Sequence, residues 1–340
     1  MKEYLVGVNY FCGWWRDQPN KWTVPAGHDW RVDYPGRVPL LGCYNDQETM
    51  DYELAAAAEG GVDYFAMLWY AEAGKREEKP SWALNRCFDL YRNSPNRGRV
   101  KYYLEFCNHP PYEIDSEELW QRSVEYFIDN MEDENCLHIF GRPVMKIHGL
   151  QHFYNQCDQN PDIVKGKIEY IRQRAAARGL GDIIILSGVM AQGINHIERE
   201  LTAFIDGTNT YMDFGPLPRR EENYPYEELE RLAAEGRINH ANTSPVPYVP
   251  YVPAGWNPKP WGSNAPLFDL PNQSQWECAL QNVKRALDEN ENLGFVVDGK
   301  RQKAFTIYAW NEFGEGGILA PTTGDRYMKL ETLKKIFGEN

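Results

Sequence analysis

Strand and helix signals alternate eight times along this chain, and the alternation constrains its fold more than any other feature, because strands separated by helices pair in parallel. Strands are expected over Tyr4 to Tyr10, Asp63 to Tyr70, Val100 to Phe106, Pro143 to His148, Ile183 to Leu186, a stretch leading to Tyr211, Val246 to Val252, and Phe305 to Glu312. Cap pairs Asn45/Glu48, Asp115/Glu118 and Ser274/Glu277 open three of the intervening helices, and Ser81 caps another. Pro161 sits early in the fourth helix, the sixth runs from about Tyr226 to Glu235 with Gly236 as its stop, and the last closes the chain from about Tyr327 to Phe337. Pro245, Pro247, Pro250 and Pro253 remove ladder donors from the seventh strand, which should be short or irregular.

Eight such units predict an α/β fold, a closed (β/α)8 TIM barrel with extended βα loops on its C-terminal face, spanning residues 1–340 as a single catalytic domain. Such a barrel takes about 250 residues, so roughly 90 are surplus, and they fall mainly in loops after strands one, two, four, six and seven. An open doubly wound sheet is the runner-up, but no GxGxxG or phosphate-binding glycine turn follows any strand.

The stretch Phe305 to Tyr327, FTIYAWNEFGEGGILAPTTGDRY, is where chemistry is expected. Phe305, Ile307 and Ala309 alternate with Tyr308, Trp310 and Glu312, placing a carboxylate above aromatic surface at the end of strand eight. Glu315 would face away in an unbroken strand, but Gly314, Gly316 and Gly317 permit a bend that brings both acids to one mouth. Paired carboxylates suit glycosidic cleavage: one protonates the leaving oxygen while the other acts on the sugar's opposite side. Read alone, these residues fit an exposed acidic turn equally well; their position at a barrel's C-terminal face favours the site.

Parity places Tyr103 with Glu105 on strand three, and Lys146 with His148 on strand four, facing into the barrel. Glu105 is then either an ion-pair partner of Lys146 or a substrate contact, and His148 is more often a hydrogen-bonded filler than a proton carrier. Tyr10, Trp69, Tyr70, Tyr211 and Trp256 fall at or just past strand ends and are candidates for lining the mouth.

Eleven Trp, 21 Tyr and 14 Phe, many in loops, suit the C–H faces of sugar rings. The net charge of −13 disfavours nucleic acid and anionic lipid as partners. No apolar run is long enough to span a membrane, and MKEYLVGVNYFCGWW reads as a first strand instead of a signal peptide. A cytoplasmic protein is expected on that basis; a trimmed secreted or periplasmic one would look the same. Seven scattered cysteines without a CxxC pair predict reduced thiols. HExxH, EF-hand, GxSxG and Walker patterns are lacking, which removes the commonest metalloprotease, calcium, esterase and nucleotide readings.

The segment WNEFGEG, Trp310 to Gly316 with Asn311 at its second position, is followed by Ile318-x-x-Pro321 and Tyr327. It resembles the WNEWxEG…P…Y segment of glycoside hydrolase family 99 and its relatives, which include proteins associated with lipopolysaccharide biosynthesis. NYFCGWW, LGCYN, GVDYFAMLWY, GRPVMKIHG and PAGWNPKP match in the same order along nearly the whole chain. Departures are Phe313 in place of Trp, Gly314 where the endo-mannosidases often carry His, and Ala254 in place of Pro; they bear on substrate more than on reaction type.

The resemblance implies a (β/α)8 barrel that cleaves an α-linked oligo- or polysaccharide with retention and without metal or organic cofactor. It also implies roles: Glu312 draws the proton from the sugar's own 2-hydroxyl, and Glu315 serves as general acid and then base. Endo action is expected if the loops form a groove open at both ends. The alternatives are a non-hydrolytic glycan-binding or polysaccharide-assembly protein on the same barrel, and a glycosidase using Glu105 as nucleophile about 5 Å from Glu315.

Overall fold

The computed structural model describes residues 2–17, 20–23, 27–71 and 81–338. Its central feature is a parallel sheet closed on itself. Tyr4–Tyr10 pairs with Tyr64–Trp69 on one side and with Lys300–Tyr308 on the other. The order continues through Lys101–Phe106, Arg142–Ile147, Ile184–Gly188 and Gly207–Asn209 to Tyr248–Val249. The ring is completed by Tyr251–Pro253, which pairs in parallel with Lys300–Tyr308.

Strand seven is therefore two short pieces separated by Pro250, one serving each neighbour. Pro250 has no N–H to give, but its carbonyl accepts from Thr306 N at 2.9 Å, so the interruption still contributes to closure.

Both faces of the sheet are buried, which is why its strands read as nearly unbroken apolar runs. Tyr64, Ala66, Tyr103, Val144, Ile184, Leu186, Val249 and Ala304 fill the interior. Phe65, Met67, Tyr102, Leu104, Met145, Ile147 and Ile185 face the surrounding helices. The register sets Leu68 opposite Glu105, Glu105 opposite Lys146 and Lys146 opposite Leu186. Near their C-terminal ends strands three and four thus carry charge inward.

Helix starts lie close to, but not on, the residues the cap pattern selects. Asp46, Ser116 and Asn272 accept the capping bonds, each within three residues of the expected cap. The Ser81 cap lies outside the described side chains. The sixth outer helix does not stop at Gly236: Tyr226–Thr243 runs through it because the buried stripe Leu229, Leu232, Ala233 continues into Arg237 and His240. All seven cysteines are unpaired, and five of them are buried. Among the described residues no helix is long and apolar enough to cross a membrane.

Candidate active site

Strand eight ends earlier than its alternation suggests. Lys300–Tyr308 is the strand, and Asn311–Glu312 then forms a small antiparallel hairpin with Gly317–Ile318. In the turn between them, Glu315 N and Gly316 N both donate to Glu312 O, at 3.0 and 2.9 Å. Gly316 takes φ +84°, a conformation costly for any residue with a Cβ. At Gly314 a Cβ would stand 2.1 Å from the Trp261 ring, so the indole lies directly on the turn between the two acids.

Surrounding loops hold this hairpin. The Asn311 amide bridges Phe11, accepting from its N at 2.9 Å and donating to its O at 2.8 Å. Trp14 Nε1 donates to Asn311 O at 2.9 Å, and Phe313 packs against Trp14 and Trp22 with centroids 5.3 and 5.6 Å away. The Trp-rich first loop is in this way a support for the turn. Behind it, Arg37 Nη1 donates to Asn257 O at 2.9 Å, while Asn257 N donates to Glu315 O at 2.5 Å.

Glu312 and Glu315 open onto one hollow of about 260 Å³ on the C-terminal face. Phe11, Lys21 and Trp261 bound one part of it; Tyr70, His109 and Tyr112 form another wall, and His148 and Tyr211 complete the rim. The Tyr70 and Tyr112 rings meet edge-on at 4.5 Å, as do His148 and Tyr211 at 4.8 Å. Walls of this kind offer ring faces with hydroxyl and imidazole groups between them, a surface suited to a polyol.

The two acids are electrostatically linked. Glu312 is only 5% exposed; its Oε1 accepts from the Tyr211 hydroxyl at 2.8 Å, and no donor among the described residues reaches its Oε2. Burial, and then the Glu315 charge, push the Glu312 carboxyl up to about 8. Glu315 is half-buried and accepts from the Tyr308 hydroxyl. Burial raises it as well, against the pull of Tyr308, Lys21 and His148.

A stability prediction follows from the sign of the Glu312 shift. A carboxyl at about 8 when folded and near 4.5 when unfolded adds no penalty at acid pH, then weakens the folded state progressively as pH rises between those values. Glu312→Gln, which does not titrate, should melt increasingly above the parent protein as pH goes from about 5 to 8. Thermal melts across that range check it; a difference independent of pH would contradict it.

Beneath the hollow lies a second polar cluster. Glu105 and Lys146 are fully buried and paired at 2.8 Å, so the ion pair is the arrangement adopted. Glu105 also accepts from His148 Nδ1 at 2.7 Å and Asn9 Nδ2 at 3.0 Å, and Lys146 donates to Asn209 Oδ1 at 2.7 Å. Burial alone would raise Glu105, but Lys146 and His148 outweigh it and hold the carboxyl below its ordinary value. With both oxygens engaged and no exposed surface, Glu105 is not available as a nucleophile.

Of the residues singled out in the sequence, Glu312, Glu315, Tyr70, His148 and Tyr211 meet at the hollow. Glu105 and Lys146 lie below it, and Asn311 holds the hairpin. Four aromatics are not brought there. The Tyr10 hydroxyl donates to Glu53 at 2.6 Å on the helix side of strand one, and Trp69 packs on Phe106, Tyr126 and Phe127. Trp310 is fully buried against Phe65, because the alternation counted through it ends at Tyr308. Trp256 stacks on Phe214 and leans on Tyr308 from behind. Phe11, Lys21, His109, Tyr112 and Trp261 line the hollow without having been singled out; all lie in connections between strands and outer helices, Trp261 in the short 3-10 turn Lys259–Trp261.

This fold is shared with solved glycoside hydrolases. A glycoside hydrolase-like protein superposes with TM-score 0.68 at 14% identity, covering 100% of this chain and 95% of that one. The GH99 endo-alpha-mannosidase from Bacteroides thetaiotaomicron does so with TM-score 0.61 at 13% identity, over 98% and 97% of the two chains. Exo-beta-1,4-mannosidase Op5Man5 from Opitutaceae bacterium strain TAV5 reaches 0.52 at 14% identity, over 98% of this chain and 58% of its own. No protein-family model matches the chain, and no curated protein is significantly similar to it in sequence. The barrels superposed here include one named for α- and one for β-linkages, so the fold alone does not select the bond; the site must.

Proposed function

We propose that the protein is a glycoside hydrolase that cleaves an α-linked glycan with retention and acts within the chain, with Glu312 and Glu315 as its working pair. The observation that carries this reading is the shared hollow, in which two mutually repelling, desolvated acids face aromatic and hydroxyl-bearing walls. Near neutral pH such a pair holds one proton between its members, the state that acid and base chemistry on one substrate requires.

The roles are those the resemblance to glycoside hydrolase family 99 implies, with Glu312 as base and Glu315 as acid. Glu312 binds protons tightly, which makes its ionised form the stronger base, and its buried Oε2 is the oxygen that no donor among the described residues reaches. In the reacting state the shared proton is on Glu315, which delivers it to the leaving oxygen. The ionised Glu312 draws the proton from the 2-hydroxyl, whose oxygen closes on the anomeric carbon. Glu315 then takes a proton from the incoming water as its oxygen bonds to the anomeric carbon; the three-membered ring opens there, Glu312 returns its proton to the 2-oxygen, and inversion at each step returns the original configuration. Tyr211 and Tyr308, neutral donors at this pH because burial raises their phenols, steady the two carboxylates.

Incubating the purified protein with a panel of α-mannans and other α-linked polysaccharides tests the reading. New reducing ends and oligosaccharide fragments are expected. Tight binding without cleavage over long incubation would instead assign a glycan-binding role.

A further inference from the structure

Lys21 is the one formal cation among the described residues lining the hollow, in a chain of net charge −13. It comes from the Trp-rich loop after strand one, and its ammonium lies 4.7 Å from the Phe11 centroid and 4.4 Å from that of Trp261. Two ring faces hold a charged ammonium while leaving it charged, since the attraction exists only for the cation. Trp261 in turn rests on Gly314, midway along the turn that carries both acids. Trp261 thus touches both the ammonium and the turn. An ordinary flexible lysine would not be held so.

We propose that Lys21 is the built-in counter-cation of the Glu312–Glu315 pair, a positioning residue that Phe11 and Trp261 hold in place so that the pair carries a single proton at neutral pH. This rests on the reading of the two glutamates as the working pair. The other titratable groups facing them are Tyr70, Cys107, His148, Tyr211 and Tyr308, at or near strand ends, with His109 and Tyr112 farther along the wall. Apart from the histidines all are neutral at pH 7, and both acids feel the Lys21 charge directly. Without that charge the doubly ionised form becomes harder to reach, and the singly protonated window moves toward alkaline pH.

The test is a carboxyl-resolved NMR titration of the ligand-free protein, with Glu312 and Glu315 signals assigned by loss in Glu312→Gln and Glu315→Gln. Lys21→Met should move both titrations alkaline by about one pH unit, and Lys21→Arg, which keeps the charge, should leave them near the parent values. The pH profile of kcat/KM on a cleaved glycan should shift by the same amount and sign on both limbs. Titrations that stay in place in Lys21→Met, with only KM raised, would overturn the proposal and make Lys21 a substrate contact. The titration needs no turnover, so an absence of cleavage in the polysaccharide panel would remove the hydrolase reading while this result still decided the role of Lys21.

Discussion

Glu315→Gln should lower turnover on the cognate glycan by a factor on the order of 10² or more, because proton delivery to the leaving oxygen is lost. The Tyr308 hydroxyl that Glu315 accepts from can also donate to a glutamine oxygen, so the turn should keep its shape and the loss should be in kcat. An aryl glycoside whose leaving group departs without protonation separates the roles: it should restore much of the rate to Glu315→Gln and little to Glu312→Gln, where the base is missing. Single-turnover rates for both variants on both substrates measure this. Near-parent turnover by Glu315→Gln on the natural glycan would remove Glu315 from the chemistry.

The second large effect is on stability. Lys146→Met leaves Glu105 ionised or forcibly protonated inside the barrel, with Asn9 and His148 as its remaining partners. Removing one member of a buried pair costs about 3–5 kcal/mol, against roughly 0–1 kcal/mol for an exposed pair. Urea unfolding of Lys146→Met should show a loss in the upper range, and Glu105→Gln combined with Lys146→Met should recover part of it, since no uncompensated charge remains. A loss under roughly 1 kcal/mol would mean that water reaches the pair. The cluster also bears on the site: an ionised Glu105 fixes the proton on His148 Nδ1, leaving Nε2 as the ring nitrogen for the hollow.

Much of this arrangement is legible in the chain because it depends on period and position. The strands follow from alternation and apolar runs, the broken seventh strand from its prolines, and the Glu105–Lys146 pair from parity on two neighbouring strands. The acidic turn was placed correctly by its glycines, and the structure adds what each one permits: a left-handed backbone at Gly316 and contact with an indole at Gly314. Parity failed where the strand did. Trp310 lies beyond Tyr308, in a loop, so its side chain answers to local packing against Phe65 and no longer to the pleat. Tyr10 and Trp69 sit on strand positions that face the helices, and an aromatic at a strand end reads alike on either face. Lys21, His109, Tyr112 and Trp261 meet through loops whose courses are set by contacts far apart in sequence, such as the Asn311 bridge to Phe11 across 300 residues.

Glu312 and Glu315 are proposed to act together on one α-linked sugar and to return its configuration. The most direct measurement is the proton NMR spectrum of the first-formed reducing end, recorded before mutarotation, on an α-linked polysaccharide that the protein cleaves. The α-anomer is expected from the parent protein, and loss of the signal from Glu312→Gln. An initial β-anomer, or cleavage that survives in Glu312→Gln, would contradict it.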